Sequence, residues 1–312
     1  MIVGRAPGKV VLWGEYAVLA GAPAAVLAVN RYATCELTPS TTYRFIAMGF
    51  EAPEAEFSQL PSDPPHTEPA ALLAWQVLRG TAGKALQPAR FRLDTTPFHS
   101  QGRKLGLGSS AALCAAIEGA CAHWLGEAPN YQRALNAHRR FQGGRGSGID
   151  VAAAHFGGAL RFQNGEAQPL SVALPECRFV WTGRSADTGR GIDRFAAYLK
   201  GGDTRALDRL ADCSEALCRA PCLDALHDYA RALRRLDQSA GLGIYTDAHR
   251  RAEALAKVYK LDYKPCGAGG GDVGAAFGSP AGQWDEFEAA AGSSGLTVLN
   301  LEAAPHGIEI RT

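Results

Sequence analysis

No charge of one sign dominates this sequence. Its 32 lysines and arginines stand against 31 aspartates and glutamates, a formal net charge of +1, so no global field draws the chain to nucleic acid or to an anionic membrane surface. An anionic ligand must therefore be met by positive charge gathered locally. No apolar run is long enough for a bilayer: the longest, around Tyr16–Val29, is interrupted by Gly21 and Pro23. Met1–Val10 carries no apolar stretch of the secretory-signal kind, and a cytoplasmic protein is expected. Cysteine is present but not dense. Cys35, Cys114, Cys121, Cys177, Cys213, Cys218, Cys222 and Cys266 are scattered and read as free buried thiols, not as a disulfide scaffold. Cys213, Cys218, Cys222 and His227 match no C-x₂-C spacing and are interrupted by Pro221, so no zinc site is expected there. A long internal repeat and a disordered tail are also missing.

With 312 residues, 46% apolar and 20% charged, the chain can bury one large core or two joined ones. Ile2–Gly4 and Val10–Trp13 read as short strands on either side of a turn, Arg5–Lys9, and Ala25–Asn30 and Tyr32–Thr38 continue a β-rich opening. Phe50–Pro69, rich in proline and acid, reads as a surface loop. Helical patterns run over Ala70–Leu78, Ala111–Ala122, Asn130–Phe141, Ile149–Ala154 and most of Ile192–Lys257. Strand patterns run over Arg90–Thr95, Ala159–Gln163, Phe179–Trp181 and Val273–Phe277. A helix over Gln283–Ala291 and strands over Thr297–Leu301 and Gly307–Arg311 finish the chain. Strands in pairs separated by single helices favour an α+β fold over a doubly wound parallel sheet. A division near residue 170 is expected, giving domains 1–170 and 171–312.

The chain is organised around Lys104-Leu105-Gly106-Leu107-Gly108-Ser109-Ser110-Ala111-Ala112. A glycine-rich turn here opens a helix, with Ser109 or Ser110 near its N-cap. The first amides of a helix have no intrahelical partner, and the helix dipole adds to their positive end, so the stretch suits phosphate. Lys104 adds charge on the same loop. It is not a Walker A loop, because no Gly-Lys-Ser/Thr follows at the required spacing. A tight connection would account for the glycines as well, so the reading depends on what accompanies them.

Two further glycine-bearing segments do. One is Ala6-Pro7-Gly8-Lys9 with Gly14-Glu15-Tyr16-Ala17-Val18; the other is Lys264-Pro265-Cys266-Gly267-Ala268-Gly269-Gly270-Gly271-Asp272. In this order, the three segments resemble the motifs of the GHMP kinases, a superfamily of small-molecule kinases, and they span nearly the whole chain. Within it the details resemble the phosphomevalonate kinase branch: the lysine before Gly-Leu-Gly-Ser-Ser, Ala137-His138 with Gln142-Gly143 and Gly146-Ser147-Gly148-Ile149-Asp150, Trp181-Thr182-Gly183-Arg184-Ser185, and the Gly-Gly-Gly-Asp ending at Asp272. Leu105 and Cys266 depart from the branch, where a small polar residue and serine or threonine are usual.

The resemblance implies a two-domain α+β fold, an N-terminal domain like domain 2 of ribosomal protein S5 and a ferredoxin-like C-terminal domain, with the active site between them. It implies ATP and Mg²⁺ as cofactors and a small anionic acceptor, 5-phosphomevalonate. Mevalonate or another hydroxyl acceptor of the sugar or homoserine type is the alternative, and a non-catalytic binding protein of the same fold is the rival from another class. Lys9 and Asp150 are the expected catalytic pair, Asp150 orienting the acceptor or taking its proton. Simpler roles stay open for both, a helix cap for Asp150 and a solvated loop lysine for Lys9. Gly106, Leu107, Gly108, Ser109, Ser110 and Ala111 are expected at the nucleotide phosphates, with Ser110 also on Mg²⁺. Lys104, Arg145, Ser147, Trp181, Arg184, Ser185, Gly269 and Gly270 are expected at the acceptor. His138 reads either as a site residue or as a buried hydrogen-bonded one, and Glu15 as a brace for the first segment. The protein is expected to be a monomer or a homodimer.

Overall fold

The structure, a computed structural model, describes residues 1–48, 54–65, 68–80, 86–186, 188–279 and 281–312. In chain order its elements are β1 (Ile2–Trp13), β2 (Ala24–Pro39), β3 (Tyr43–Met48), β4 (Glu54–Phe57), α1 (Pro69–Arg79), β5 (Ala89–Asp94), β6 (His99–Ser100), β7 (Arg103–Lys104), α2 (Ser109–Trp124), α3 (Tyr131–Phe141) and α4 (Ile149–Phe156). There follow β8 (Ala159–Gln163), β9 (Glu166–Pro169), β10 (Glu176–Trp181), α5 (Thr188–Lys200), α6 (Arg205–Arg219), α7 (Leu223–Ala240), α8 (Asp247–Val258), β11 (Asp262–Pro265), β12 (Val273–Gly278), α9 (Trp284–Ser293), β13 (Thr297–Leu299) and β14 (Glu309–Arg311). The strands form one large sheet in the order β14-β1-β2-β5-β3-β4, with β8 on β2 and β9 on β8, and a second sheet in the order β11-β12-β10-β13, while β6 and β7 pair with each other. Pairing is antiparallel throughout these two sheets except between β3 and β5. The arrangement is α+β, as the pairing of strands around single helices predicts.

Helix α2 packs on β1, β2 and β14 of the larger sheet and touches α1, α3 and α4. Every residue from Ala111 to Ala122 is buried, which a helix tolerates only when it is apolar on all sides. Alanine, glycine and cysteine keep it thin: a Cβ on Gly4 of β1 would lie 2.3 Å from the carbonyl oxygen of Ala116. Glu118 is the charged exception, 2% exposed and paired with Arg133 at 2.9 Å, as a buried carboxylate requires.

The opening of the chain departs from expectation. No turn separates Ile2–Gly4 from Val10–Trp13; β1 is one strand of 12 residues. The irregularity lies in its partner, because Pro7 pairs with Tyr32 and Gly8 with Val29, so that Asn30 and Arg31 bulge out of β2. The two segments expected on either side of residue 31 therefore join as the 16-residue β2. The loop expected over Phe50–Pro69 contains β4 at Glu54–Phe57, paired with β3; residues 50–53 and 66–67 of that stretch lie outside the described residues. The final strand, β14, returns to β1, with Gly4 opposite Ile310.

Candidate functional site

The three glycine-bearing segments meet at one cleft of about 580 Å³. The bulge on β2 is what brings the first two together. With the ladder irregular at Gly8, the Lys9 amide donates to the carbonyl of Leu107 at 2.8 Å, a use of bulges typical beside functional sites. Gly8 permits the approach, since a Cβ there would sit 2.7 Å from Phe98 and 2.8 Å from the Leu107 oxygen. The third segment is tied to the first by the Tyr16 hydroxyl, which donates to the Ala268 carbonyl at 2.7 Å.

The turn before α2 runs through left-handed backbone at Gly106 (φ 77°) and Gly108 (φ 79°). Gly108 is the N-cap, and no side chain caps the helix. Ser109 and Ser110 are therefore its first two residues, next to the N-cap as expected. Both line the cleft at the positive end of a 16-residue helix that no side chain caps, an arrangement suited to an anion. Ser110 also lines the cleft, and its Oγ lies 3.0 Å from Nε2 of His138, which is 1% exposed. His138 is thus a buried support behind Ser110. Leu107 and Ala111 have buried side chains, leaving only their backbone near the turn.

On the facing wall, Gly148 caps α4 in a left-handed conformation, and Asp150 stands in the first turn with its Oδ1 accepting from the Val151 amide at 3.0 Å. Ser147 Oγ accepts from the Ile149 amide at 3.3 Å. Lys9, Lys104, Arg145, Ser147, Asp150 and Ser185 all line the cleft, so the expected catalytic pair and several expected acceptor residues share one cavity. The Arg145 guanidinium pairs with Asp193 at 3.0 Å, both side chains more than half exposed, a pairing worth ~0–1 kcal/mol.

Other expected acceptor residues are placed elsewhere. Trp181 is 4% exposed and packed in the core; it sits in β10 opposite Val273, where the sheet face turns it inward. Arg184 is exposed, and its carbonyl, not its side chain, is engaged, accepting from the Asp272 amide at 2.6 Å. Gly269 and Gly270 pack against the Gly243–Ile244 loop: a Cβ on Gly269 would meet Ile244 at 2.4 Å, and the Gly270 amide donates to the Ile244 carbonyl. Cys266, Gly267, Ala268 and Asp272 are the members of that segment on the cleft.

Glu15 and Asp272 are the charged residues on the cleft that the sequence reading left out of the site. Glu15 is 2% exposed; its Oε1 pairs with Lys264 Nζ at 2.5 Å, and its Oε2 accepts from the Tyr229 hydroxyl. Burial drives the Lys264 ammonium toward losing its proton, but Cys266 and Glu15 outweigh it and hold the lysine above its ordinary pKa. Burial also pushes the Cys266 thiol up to about 11. Asp272 is held above the usual carboxylate range by burial, with the Ala186 amide, Lys9 and Lys104 pulling the other way.

Among the described residues, no group of three or more His, Cys, Asp or Glu side chains could cage a metal ion. The cleft instead offers hard oxygen donors singly, Ser110 Oγ and the Asp150 carboxylate. Such a set fits Mg²⁺, which usually takes one or two protein oxygens and completes its shell with phosphate and water. Glu15 is committed to Lys264 and Tyr229.

Comparison with known proteins agrees with this geometry. The family described as "GHMP kinases N terminal domain" matches residues 73–158. The chain is 28% identical to a phosphomevalonate kinase of Streptomyces sp. (strain CL190), over 88% of this chain and 89% of that one. It is 29% identical to a mevalonate kinase of Thermococcus gammatolerans, over 60% of this chain and 59% of the other. The structure of the Streptococcus pneumoniae phosphomevalonate kinase in complex with phosphomevalonate and AMPPNP superposes with a TM-score of 0.79 at 19% identity, covering 97% of this chain and 100% of that one. Residues 73–158 thus match the N-terminal domain of the GHMP kinases, and the chain is similar in sequence to a phosphomevalonate kinase and to mevalonate kinases and shares the fold of the former.

Proposed function

We propose that the protein transfers the γ-phosphoryl group of ATP to 5-phosphomevalonate, giving 5-diphosphomevalonate and ADP. The observation that carries this reading is the placement of two lysines beside the uncapped end of α2. Lys9 and Lys104 both line the cleft, and neither forms a side-chain ion pair among the described residues. A nucleotide needs one set of phosphate contacts and a phosphorylated acceptor needs a second, and the cleft supplies amides for the one and ammonium groups for the other.

In this reading, the turn at Gly106 and Gly108 and the amides of Ser109, Ser110 and Ala111 take the triphosphate. Ser110 Oγ, with the Asp150 carboxylate in reach of the same space, would hold Mg²⁺, whose bound form neutralises charge on the transferring group. Lys9 steadies that same charge. Asp150 orients the acceptor oxygen. An acceptor phosphate is already largely ionised near neutral pH, so proton abstraction is a small part of the work and charge screening a large one. Lys104, Ser147 and Ser185 contact the acceptor, with Arg145 free to leave Asp193 for it. Trp181, Arg184, Gly269 and Gly270 act through packing or backbone. The division into 1–170 and 171–312, with the cleft between, belongs to the same proposal, as do a cytoplasmic location and a monomeric or homodimeric state; no helix among the described residues is long and apolar enough to cross a membrane.

A second reading, phosphorylation of the mevalonate hydroxyl, is favoured by the similarity to mevalonate kinases and by Asp150, a carboxylate of the kind a hydroxyl acceptor requires. Lys104→Met tests between them. For a phosphorylated acceptor it removes a charge-assisted contact worth ~1.5–3 kcal/mol, roughly ten- to a hundredfold in acceptor KM, while the KM for ATP moves little. An acceptor KM that does not respond would sink the assignment of Lys104 to the acceptor phosphate.

A further inference from the structure

Asp272 stands in left-handed backbone, φ 57°, without being glycine. Such a conformation is unfavourable for an L-residue, is tolerated best by Asn and Asp, and persists where surrounding contacts over-determine it. Here the hydrogen bonds come from one strap, Thr182–Ala186, that leads from β10 toward α5. The Asp272 amide donates to the Arg184 carbonyl at 2.6 Å. Its carbonyl accepts from the Thr182 amide at 2.9 Å and from Thr182 Oγ1 at 3.0 Å. Its carboxylate Oδ1 accepts from the Ala186 amide at 3.0 Å. Gly271 lets the strap lie against this bend, since a Cβ there would meet the Arg184 oxygen at 2.8 Å.

The same carboxylate also meets the phosphate turn. A Cβ on Gly106 would fall 2.1 Å from Asp272 Cγ and 2.4 Å from Oδ2, so the absent side chain of Gly106 is the space that Asp272 fills. The strap, in turn, is fastened to β7 just before that turn. Arg103 Nη1 donates to the Gly183 carbonyl at 2.8 Å, and Ser185 Oγ donates to the Lys104 carbonyl at 3.3 Å. Asp272, the strap, β7 and the glycine turn thus close a ring of contacts. Ser185, Ala186, Lys104, Gly106 and Asp272 all face the cleft from it.

We infer that Asp272 is a positioning residue: its carboxylate, seated on Gly106 and hydrogen-bonded to Ala186, sets the acceptor-side strap at a fixed distance from the nucleotide turn. The inference rests on the reading of that turn as the nucleotide site. Loss of the carboxylate frees the Ala186 end of the strap and its seat on Gly106, while the turn keeps its own tie through the Lys9 amide and the Leu107 carbonyl. The acceptor side therefore loosens more than the nucleotide side.

The test uses the full chain and the variants Asp272→Ala and Asp272→Asn. Three quantities are read: amide hydrogen exchange over 182–186, the Kd of a non-hydrolysable ATP analogue by calorimetry, and the acceptor KM. Asp272→Ala is expected to speed exchange over the strap at least tenfold and to raise the acceptor KM tenfold or more, with the nucleotide Kd within threefold. Asp272→Asn retains an oxygen for Ala186 and tolerates the backbone, so its exchange stays within threefold of the unmodified protein. If Asp272→Ala does not fold, Asp272→Gly, which suits φ 57°, takes its place with the same expected values. Unchanged strap exchange in the Ala or Gly variant overturns the inference, and so does an Asn variant as loose as the Ala one, because charge would then be acting instead of the hydrogen bond. Should the unmodified protein not accept phosphomevalonate, the proposed function fails while exchange and nucleotide binding still decide the role of Asp272.

Discussion

Lys264 and Glu15, 249 positions apart, form an ion pair of 2.5 Å with side chains 1% and 0% exposed. The pair links β11 to the segment that follows β1, and the Tyr229 hydroxyl of α7 completes it by donating to Glu15 while accepting from the Gly14 and Glu15 amides at 2.7 and 3.0 Å. A fully buried pair contributes little against an apolar substitute of both partners, yet removing one partner strands the other charge. Lys264→Met should therefore destabilise the protein by ~3–5 kcal/mol. Lys264→Met combined with Glu15→Gln should lose clearly less than the sum of the single changes. Urea unfolding of the four proteins checks this, and a single-variant loss below about 1 kcal/mol would mean that the pair is solvated in practice.

Gly108 has a φ of 79°, and a Cβ on it would lie 3.1 Å from Cε of Lys9. Gly108→Val should strain the turn by ~1–3 kcal/mol and press on the lysine stem. Binding of an ATP analogue should weaken at least tenfold in a protein that remains folded by circular dichroism. Unaltered affinity would place the nucleotide phosphates elsewhere.

Lys9 and Asp150 enter the cleft from different elements, β1 and α4, and are assigned to the chemical step. Lys9→Ala and Asp150→Ala should each lower kcat by ~10²-fold or more with much smaller changes in ATP binding. For an acceptor that is already ionised, the loss at Lys9 should be the larger. Single-turnover kinetics separate the step from product release, and near-normal turnover by Asp150→Asn would leave the aspartate only its place in the first turn of α4.

His249 is fully buried on α8. Its Nε2 donates to the Gly271 carbonyl and its Nδ1 accepts from the Tyr263 hydroxyl, both at 2.9 Å, a tautomer assigned from these partners. Burial, opposed by the Gly271 carbonyl and aided by the nearby Lys264 ammonium, lowers its pKa from 6.5 to about 4; burial alone lowers that of His155 to about 4. Both are neutral in the folded and unfolded chains well above pH 6.5, so they cost nothing there. Between pH 6.5 and 4 the unfolded chain takes up protons that the folded one refuses, and stability falls as the pH falls. His249 alone is worth ~3 kcal/mol by the lower end of that window. Urea midpoints between pH 7.5 and 4.5 should decline, and His249→Gln, which can still donate to Gly271, should flatten the decline. An equal slope in both proteins would contradict the assignment.

The parts of this architecture visible in the sequence are those with local causes. Helix α3 begins where Asn130 accepts from the Arg133 amide at 2.9 Å, and the turn before α2 shows in its glycines because only left-handed backbone fits there. The single strand β1 was not legible, because its continuity depends on two residues that bulge from β2. The inward turn of Trp181 depends on which face of β10 meets the core, and a six-residue strand does not declare that by itself. Lys264 against Glu15 and Asp272 against Gly106 join positions more than 160 residues apart, and neither partner's neighbours hint at the other. The motifs thus announced which segments would form the cleft, while the contacts that fix the segments to one another came only with the fold.

The central claim is that the acceptor oxygen belongs to a phosphate. Phosphorus-31 NMR of the purified protein with ATP, Mg²⁺ and phosphomevalonate tests it directly. The account predicts a pair of mutually coupled resonances from a new diphosphate ester growing as ADP appears, with mevalonate giving far slower ADP release. A phosphomonoester singlet formed rapidly from mevalonate, with phosphomevalonate left unchanged, would contradict it.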